Sequence, residues 1–250
     1  MSDEAKDPRI ENIISQLSSI KEADVVKLQD YTLLNPKASK EELDSFAKRA
    51  AQYPVAAVCV YAHHLPLFAE LSCKKASVVN FPLGQQTDES VIAQIKAICK
   101  TYVVDEIDYV FPLYTYLCEG ELAALHQSKA VIETCHENGT TVKVILESGA
   151  FADLSRLRLL AKQVIEQGCD FLKTSTGHYS VGATLSATDV MLQAIADSGN
   201  ACGMKVSGGI KNIEQAQQYI KLAEYHMGKP MQAEYFRIGA SRLLSNVGLT

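Results

Sequence analysis

Short apolar runs alternate with amphipathic segments along most of the chain. Examples of the runs are VAAVCVY at 55–61, SVVNF at 77–81 and TVKVILE at 141–147. Strands that are buried on both faces of a parallel sheet are apolar in this way. Between the runs, apolar residues recur every three or four positions, as in a helix that packs one face against a core. The pattern therefore predicts strands and helices in alternation.

Eight strand–helix units are predicted, joined by short loops without a Pro/Gly/Ser-rich linker. Repeated units of this kind give parallel strands with right-handed crossovers. The predicted strands are the end of 25–32, then 55–61, 77–81, 106–111, 141–147, 170–174, 202–206 and 235–238. The predicted helices are about 10–20, then 39–53, 65–72, 88–102, 120–137, 154–167, 186–198 and 213–223. Ser39 and Ser186 each begin a capping-box sequence at a predicted helix start.

The number of units matches a (β/α)8 TIM barrel that forms a single domain over residues 1–250. Residues 1–8 are polar and are expected to be disordered. A doubly wound open sheet is the alternative, since periodicity alone does not distinguish an open sheet from a closed one.

The composition indicates a globular protein of the cytoplasm. Hydrophobic residues make up 47% of the 250 residues, and the formal net charge is −5, which argues against a nucleic-acid-binding protein. The seven cysteines form no C-x-x-C pair, so reduced thiols are expected rather than disulfides or a zinc site. The N-terminus lacks the apolar segment of a signal peptide, and no apolar run is long enough to span a membrane.

Three ionisable residues lie towards the ends of predicted strands: Lys173, Lys205 and Asp108. The carboxyl ends of barrel strands carry the active site in this fold, so we expect these groups to meet there. A lysine at a strand end often extends to water, and buried charges are often paired for stability. Several such groups at one end of the barrel favour a catalytic site over both alternatives.

Two lysines on adjacent strands have a chemical consequence. At about 5 Å and an effective dielectric of about 20, two ammonium groups repel by about 3 kcal/mol. This repulsion would lower one lysine pKa by about two units, and a neutral amine can form a Schiff base with a carbonyl compound. Lys173 is the predicted nucleophile, Lys205 the charged neighbour and Asp108 the proton shuttle.

Glycines after the seventh and eighth predicted strands indicate a phosphate site. Gly208 and Gly209 follow one strand, and Gly239 and Ser241 lie at the end of the other. Barrels often bind phosphate with backbone N–H groups of these two loops. Further residues near strand ends are expected to contact the substrate: Thr32, Cys59, Lys143 and Thr176.

The pair His63–His64 could suggest a metal site. Adjacent side chains point apart, however, and no third ligand is evident in the sequence. We therefore predict no metal, and Cys59 is expected to be a packed thiol rather than a nucleophile.

At these residues the sequence closely resembles the deoxyribose-phosphate aldolases, which are class I, Schiff-base aldolases. The most specific motif is DFLKTSTG at 170–177. The other matching segments are DYTLLN at 30–35, AVCVY at 57–61, VNFPLG at 79–84, EIDYVFP at 106–112, KVILE at 143–147, KVSGGI at 205–210 and RIGAS at 237–241.

The resemblance implies a lyase that reversibly cleaves 2-deoxy-D-ribose 5-phosphate to acetaldehyde and D-glyceraldehyde 3-phosphate, in deoxyribose phosphate catabolism. It assigns Lys173 to the imine, Lys205 to lowering its pKa and Asp108 to the proton relay. It assigns the phosphate to the glycine loops, Gly177 included. The partner is thus a small phosphorylated sugar, without a cofactor, nucleic acid or membrane, and a homodimer is compatible with it.

Some positions depart from the family pattern. Members with a longer tail use a terminal tyrosine in proton transfer, whereas the last tyrosine here is Tyr235. Arg242 stands where a small residue is common, and His178 and Lys211 replace the more usual Lys and Arg. Two alternatives follow: a Schiff-base aldolase or transaldolase for another phosphorylated aldehyde, and a sugar-phosphate-binding protein without catalysis.

Overall fold

In the computed structural model, which describes residues 7–246, the strands form a closed barrel. All eight strands of this part of the chain are parallel, each pairs with the next along the chain, and the eighth pairs with the first. This confirms the (β/α)8 TIM barrel and excludes the open sheet. The strands are β1 (Gln29–Leu33), β2 (Ala57–Val60), β3 (Lys74–Val79), β4 (Glu106–Val110), β5 (Thr141–Ile145), β6 (Phe171–Lys173), β7 (Gly203–Ser207) and β8 (Phe236–Ala240).

Two α-helices precede β1 in the described part of the chain, six more each follow a strand, and together they surround the barrel. They are α1 (Pro8–Gln16), α2 (Glu22–Lys27), α3 (Lys40–Gln52), α4 (Asp88–Thr101), α5 (Glu121–Glu137), α6 (Leu154–Glu166), α7 (Leu185–Ser198) and α8 (Ile213–Met227). Their buried faces pack on the outside of the strands, where an apolar core includes Val58, Ile107, Leu157 and Val164. This packing follows the predicted hydrophobic stripes.

Capping side chains define several helix starts. The Ser39 side chain accepts a hydrogen bond from the Glu42 N–H, as the capping-box sequence predicts. The prediction that Ser186 caps α7 is wrong. Thr184 has the extended backbone of an N-cap, and its side chain accepts from the Ala187 N–H, so the helix begins two residues earlier.

The N-terminal segment differs from the single helix expected at 10–20. Asp7 caps α1 at Pro8, and this helix ends at Gln16. A second helix, α2, covers the beginning of the segment 25–32, at whose end the first strand is predicted. The disorder expected for residues 1–8 concerns mainly residues outside the described range.

Two predicted strands end earlier than expected because a residue without glycine's freedom takes a left-handed conformation. Asn80 has φ 55° after β3, and Glu147 has φ 52° after β5. The predicted helix at 65–72 is a 3-10 segment, Ala62–Phe68, with Pro66 inside it. A short π-helical turn, Thr115–Glu119, precedes α5.

Candidate active site

Lys173 is the last residue of β6, and its side chain lies inside the barrel near the carboxyl ends of the strands. Only 3% of the residue is exposed, and it contributes to the wall of a cavity at that end. The Nζ atom lies 2.7 Å from Oδ2 of Asp108 on β4. Strand register pairs Lys173 with Lys205 of β7, so both lysines point to the same region.

Asp108 connects the lysines. Its Oδ2 atom accepts from Lys173 and from Lys205, each at 2.7 Å, and its Oδ1 atom accepts from Lys143 at 2.9 Å. Burial alone would raise the pKa of this carboxyl, but Lys143, Lys173 and Lys205 outweigh it and hold the pKa well below its usual range. Asp108 is therefore ionised and fully engaged.

A second set of charged side chains lies next to this cluster inside the barrel. Lys205 contacts Asp30 at 2.5 Å, and Arg237 binds Asp30 at 2.6 Å and Glu106 at 2.8 Å. Lys143 Nζ lies 2.5 Å from Oε2 of Glu106, and the half-exposed Lys74 forms an ion pair with Oε1 of the same carboxylate at 3.3 Å. The charges thus form one continuous network across the barrel.

Within the described residues, the buried part of this network holds four cations and three carboxylates. The carboxylates are Asp30, Glu106 and Asp108, and the cations are Lys143, Lys173, Lys205 and Arg237. Lys205 and Lys143 have raised pKa values because burial is outweighed by the adjacent carboxylates, Asp108 foremost. Lys173 is the exception, and its pKa is lowered.

The cause of this lowering differs from the one predicted. Burial of the Lys173 amine is the largest contribution, Asp108 opposes it, and the Lys205 charge adds to it. The repulsion predicted between the two lysines is thus real but secondary.

A cavity of about 900 Å³ opens above Lys173, between the carboxyl ends of β1, β6, β7 and β8 and helix α3. Most of the predicted site residues line it: Thr32, Lys173, Thr176, Gly177, Gly208, Gly209, Gly239 and Ser241. Arg242 also lines it, and Lys48 and Arg49 of α3 extend its positively charged wall. Closure of the barrel has brought residues from both halves of the sequence together.

Glycines at the ends of β7 and β8 occupy positions that other residues would not fit without strain. Gly208 and Gly209 have φ values of 91° and 84°, a region that only glycine adopts without strain. Gly239 packs so closely that an added Cβ would lie 2.8 Å from Ser207 Cβ and 3.0 Å from Lys205 Cε. Glycine is therefore required here by the packing around the lysine as well.

Two predicted substrate contacts lie beneath the cavity rather than on its wall. Cys59 is fully buried on β2, with Sγ 3.9 Å from Asp108, and burial raises the pKa of its thiol. Lys143 is also fully buried, in the middle of β5, where it serves the charge network. Because side chains alternate along a strand, those of Cys59 and Lys143 point into the barrel. Neither of them reaches the wall of the cavity.

The sequence interpretation missed most of the supporting charges. Asp30 was noted only as part of a motif, and neither Glu106 nor Arg237 was selected. The pairs are far apart in the chain, by 207 residues for Arg237 and Asp30 and by 131 for Arg237 and Glu106. The available signal was the presence of charged residues within otherwise apolar strands.

The expectation that the His63 and His64 side chains point apart is wrong. The rings of His63 and His64 lie 3.9 Å apart, and His63 stacks on Tyr61. Among the residues described, no group of three His, Cys, Asp or Glu side chains could hold a metal ion. Over the same range, none of the helices has the length and apolar character needed to cross a membrane.

Comparison with known proteins identifies the family of this chain. A solved structure of an aldolase, QR15, superposes with a TM-score of 0.76 at 26% identity, over 89% of this chain and 95% of that one. A deoxyribose phosphate aldolase from Aeropyrum pernix, described as a unique tetramer, gives 0.77 at 25% identity, over 96% and 97%. The sequence model of the DeoC/LacD family aldolases matches residues 25–244. With most of its length matched, this chain belongs to the DeoC/LacD family of aldolases.

Proposed function

We propose that the protein is a class I deoxyribose-phosphate aldolase, which cleaves 2-deoxy-D-ribose 5-phosphate to acetaldehyde and D-glyceraldehyde 3-phosphate. One observation carries the proposal: a buried lysine with a lowered pKa lies at the wall of a cavity rimmed by glycine loops. The Aeropyrum pernix relative, whose name states this activity, supports the choice of substrate.

The amine chemistry follows from the charges around Lys173. Its neutral form attacks the substrate aldehyde, and loss of water gives an imine at Nζ. Asp108 Oδ2 accepts hydrogen bonds from both Lys173 and Lys205, so we assign it to holding the amine in place and to relaying protons along these hydrogen bonds while the imine forms. Lys205 stays charged because Asp108 and Asp30 stabilise its ammonium group.

The imine makes carbon–carbon cleavage possible. When the protonated imine withdraws electrons, the bond between C2 and C3 breaks and its electron pair forms an enamine on Lys173. The hydroxyl on C3 loses its proton and becomes the aldehyde of the leaving product. Protonation of the enamine and hydrolysis of the imine then release acetaldehyde and restore the amine, so no cofactor is required.

The phosphate group is assigned to the glycine loops that line the cavity. Gly208, Gly209, Gly239 and Ser241 offer backbone and hydroxyl donors, and Gly177 borders them from the β6 loop. Arg242 adds a cation on the same wall. Because His178 packs edge-to-face on Phe81 with ring centroids 4.9 Å apart, we assign the charge interaction with phosphate to Arg242.

A retro-aldol assay tests this function. The wild-type protein is given 2-deoxyribose 5-phosphate, 2-deoxyribose and a panel of other phosphorylated sugars, and the released aldehydes are identified. We expect acetaldehyde from the first compound and its loss in a Lys173→Leu variant. Cleavage of a different sugar phosphate without release of acetaldehyde would favour another Schiff-base aldolase, and ligand binding without turnover would favour the non-catalytic alternative.

A further inference from the structure

Glu147 is a buried carboxylate outside the charge network. It follows β5 in a left-handed backbone conformation, with φ 52° and ψ 56°, and it is 2% exposed. Its Oε2 atom accepts hydrogen bonds from the backbone N–H and the hydroxyl of Thr176, while Oε1 has no hydrogen-bond partner among the residues described. An ionisable group held in this way beside the cavity calls for an explanation other than packing.

The Thr176 hydroxyl links this carboxylate to the cavity wall. It donates to Glu147 Oε2 at 2.7 Å and accepts from the His178 N–H at 3.1 Å. A hydroxyl has one donor and two acceptor positions, so one acceptor position remains. Thr176 lines the cavity together with Lys173. The free acceptor position of its hydroxyl can therefore accept a hydrogen bond from a donor in the cavity, such as a substrate hydroxyl.

Asp108 is poorly suited to accept the proton of that substrate hydroxyl. Three lysines surround it, and they hold its pKa well below the usual range after burial is taken into account. Glu147 has the opposite character, because burial raises its pKa. The groups that oppose this rise are Thr176, through its hydrogen bonds, and Lys173 and His178, through electrostatic interactions from β6 and its loop.

We propose that Glu147, acting through the Thr176 hydroxyl, takes up the proton that the substrate C3 hydroxyl releases during carbon–carbon cleavage. As the bond breaks, the C3 hydroxyl proton moves to Thr176 Oγ1, and the Thr176 proton moves to Glu147 Oε2. The bond's electron pair enters the enamine, so charge and atoms balance, and the proton returns in the synthesis direction. This inference rests on the proposed function and deepens it, with Glu147 as a positioning residue that also stores the proton.

The first test separates imine formation from cleavage. A Glu147→Gln variant keeps an oxygen that can accept from Thr176 but cannot take up a proton at neutral pH. We expect borohydride-trapped acetaldehyde adduct at the wild-type level, and a single-turnover cleavage rate about 10²- to 10⁴-fold lower. The matched control is Glu137→Gln, at an exposed glutamate on α5, which should leave both rates unchanged.

The pH profile tests proton uptake itself. Glu147 must be ionised to accept, so the cleavage rate of the preformed wild-type imine should fall as the pH drops through the Glu147 pKa, and this acid limb should vanish in Glu147→Gln. Thr176→Val should lose cleavage in the same way, and Thr176→Ser, which keeps a hydroxyl, should restore it. The Thr176 pair also tests the proton path should Glu147→Gln fail to fold.

Three results would overturn the inference. The first is an equal cleavage rate in wild type and Glu147→Gln, and the second is an acid limb that is retained in the variant. The third is a parallel loss of adduct and cleavage, which would indicate a structural role. Each of these results leaves the proposed function intact. A wild-type protein that forms no acetaldehyde adduct would instead overturn the proposed function, and this inference with it.

Discussion

At the scale of single residues, the protonation of Lys173 depends on its place among fixed charges. Asp30, Glu106 and Asp108 provide three buried carboxylates, and the three other buried cations are each held charged by at least one of them. A fourth full charge at Lys173 would exceed the available carboxylates, and burial penalises it further. Burial and the surrounding cations therefore lower the Lys173 pKa, which increases the share of the neutral amine that the mechanism needs.

Replacing Lys205 by methionine should shift the pH dependence of imine formation. The Lys205 charge helps to lower the Lys173 pKa, and about 3 kcal/mol of repulsion corresponds to about two pKa units. Without it the Lys173 pKa rises, so at neutral pH we expect about 100-fold slower adduct formation that recovers as the pH is raised. Borohydride trapping of the adduct at a series of pH values measures the shift.

Lys205→Arg serves as the charge-conserving control and should keep the profile close to wild type. A Lys205→Met protein that remains folded and shows an unshifted profile would mean that burial alone sets the Lys173 pKa.

Motif reading predicted the chemistry of single residues better than their environment. Lys173, Thr176 and the glycine loops were selected from the sequence, and all of them line the cavity. Arg237 and Glu106 were not, because their partners lie on strands that become neighbours only when the barrel closes. The dominance of burial over the Lys205 charge was equally out of reach, since solvent exposure is a property of the folded chain.

At the scale of elements, the β6 and β7 loops fit together through glycines. Ala183 N–H donates to the Gly208 carbonyl at 3.0 Å, and an added Cβ at Gly182 would lie 2.5 Å from that carbonyl oxygen. The close backbone approach fixes the loop assigned to the phosphate relative to the loop that follows Lys173.

A Gly182→Ala change should displace the Gly208 loop. We expect a stability loss of about 1–3 kcal/mol from overpacking, and a KM for 2-deoxyribose 5-phosphate that rises more than that for unphosphorylated 2-deoxyribose. Denaturant unfolding and steady-state kinetics measure the two effects. Gly120→Ala is the control, because no atom lies within 4 Å of its added Cβ. Equal KM changes for both sugars would show that the loop contact does not act on phosphate binding.

The alternation of elements was predictable because apolar runs and helical stripes differ in period. Their ends were less so. Asn80 and Glu147 adopt positive φ at the ends of β3 and β5, and this conformation could not be predicted from the residue types. Thr184 caps α7 in place of Ser186. At Glu147 this backbone conformation places the carboxylate against Thr176 of the cavity wall. The residue of our further inference is therefore positioned by a conformation that the sequence pattern does not predict.

At the scale of the whole molecule, the barrel interior is a charge network enclosed by an apolar shell. Residues from β1, β4, β5, β6, β7 and β8 contribute to it, so its formation requires a closed ring. Closure was predicted from the number of units and from the resemblance, not from periodicity. The homodimer compatible with that resemblance stays a prediction.

The pair Glu106 and Arg237 should be energetically coupled. Removing either partner leaves buried charges without compensation, so Glu106→Gln and Arg237→Met should each lower the free energy of unfolding by about 3–5 kcal/mol. The double variant removes both charges and should lose clearly less than the sum of the two. Urea unfolding of the four proteins gives the cycle, and strictly additive losses would show that the two residues act independently.

The most direct measurement for the central claim is covalent trapping at Lys173. The wild-type protein is incubated with acetaldehyde, reduced with borohydride and digested, and the peptides are mapped by mass. The account predicts one ethyl group on Lys173, none on Lys205 or Lys143, and none at all in Lys173→Leu. An unmodified Lys173, or modification at another buried lysine, would contradict it.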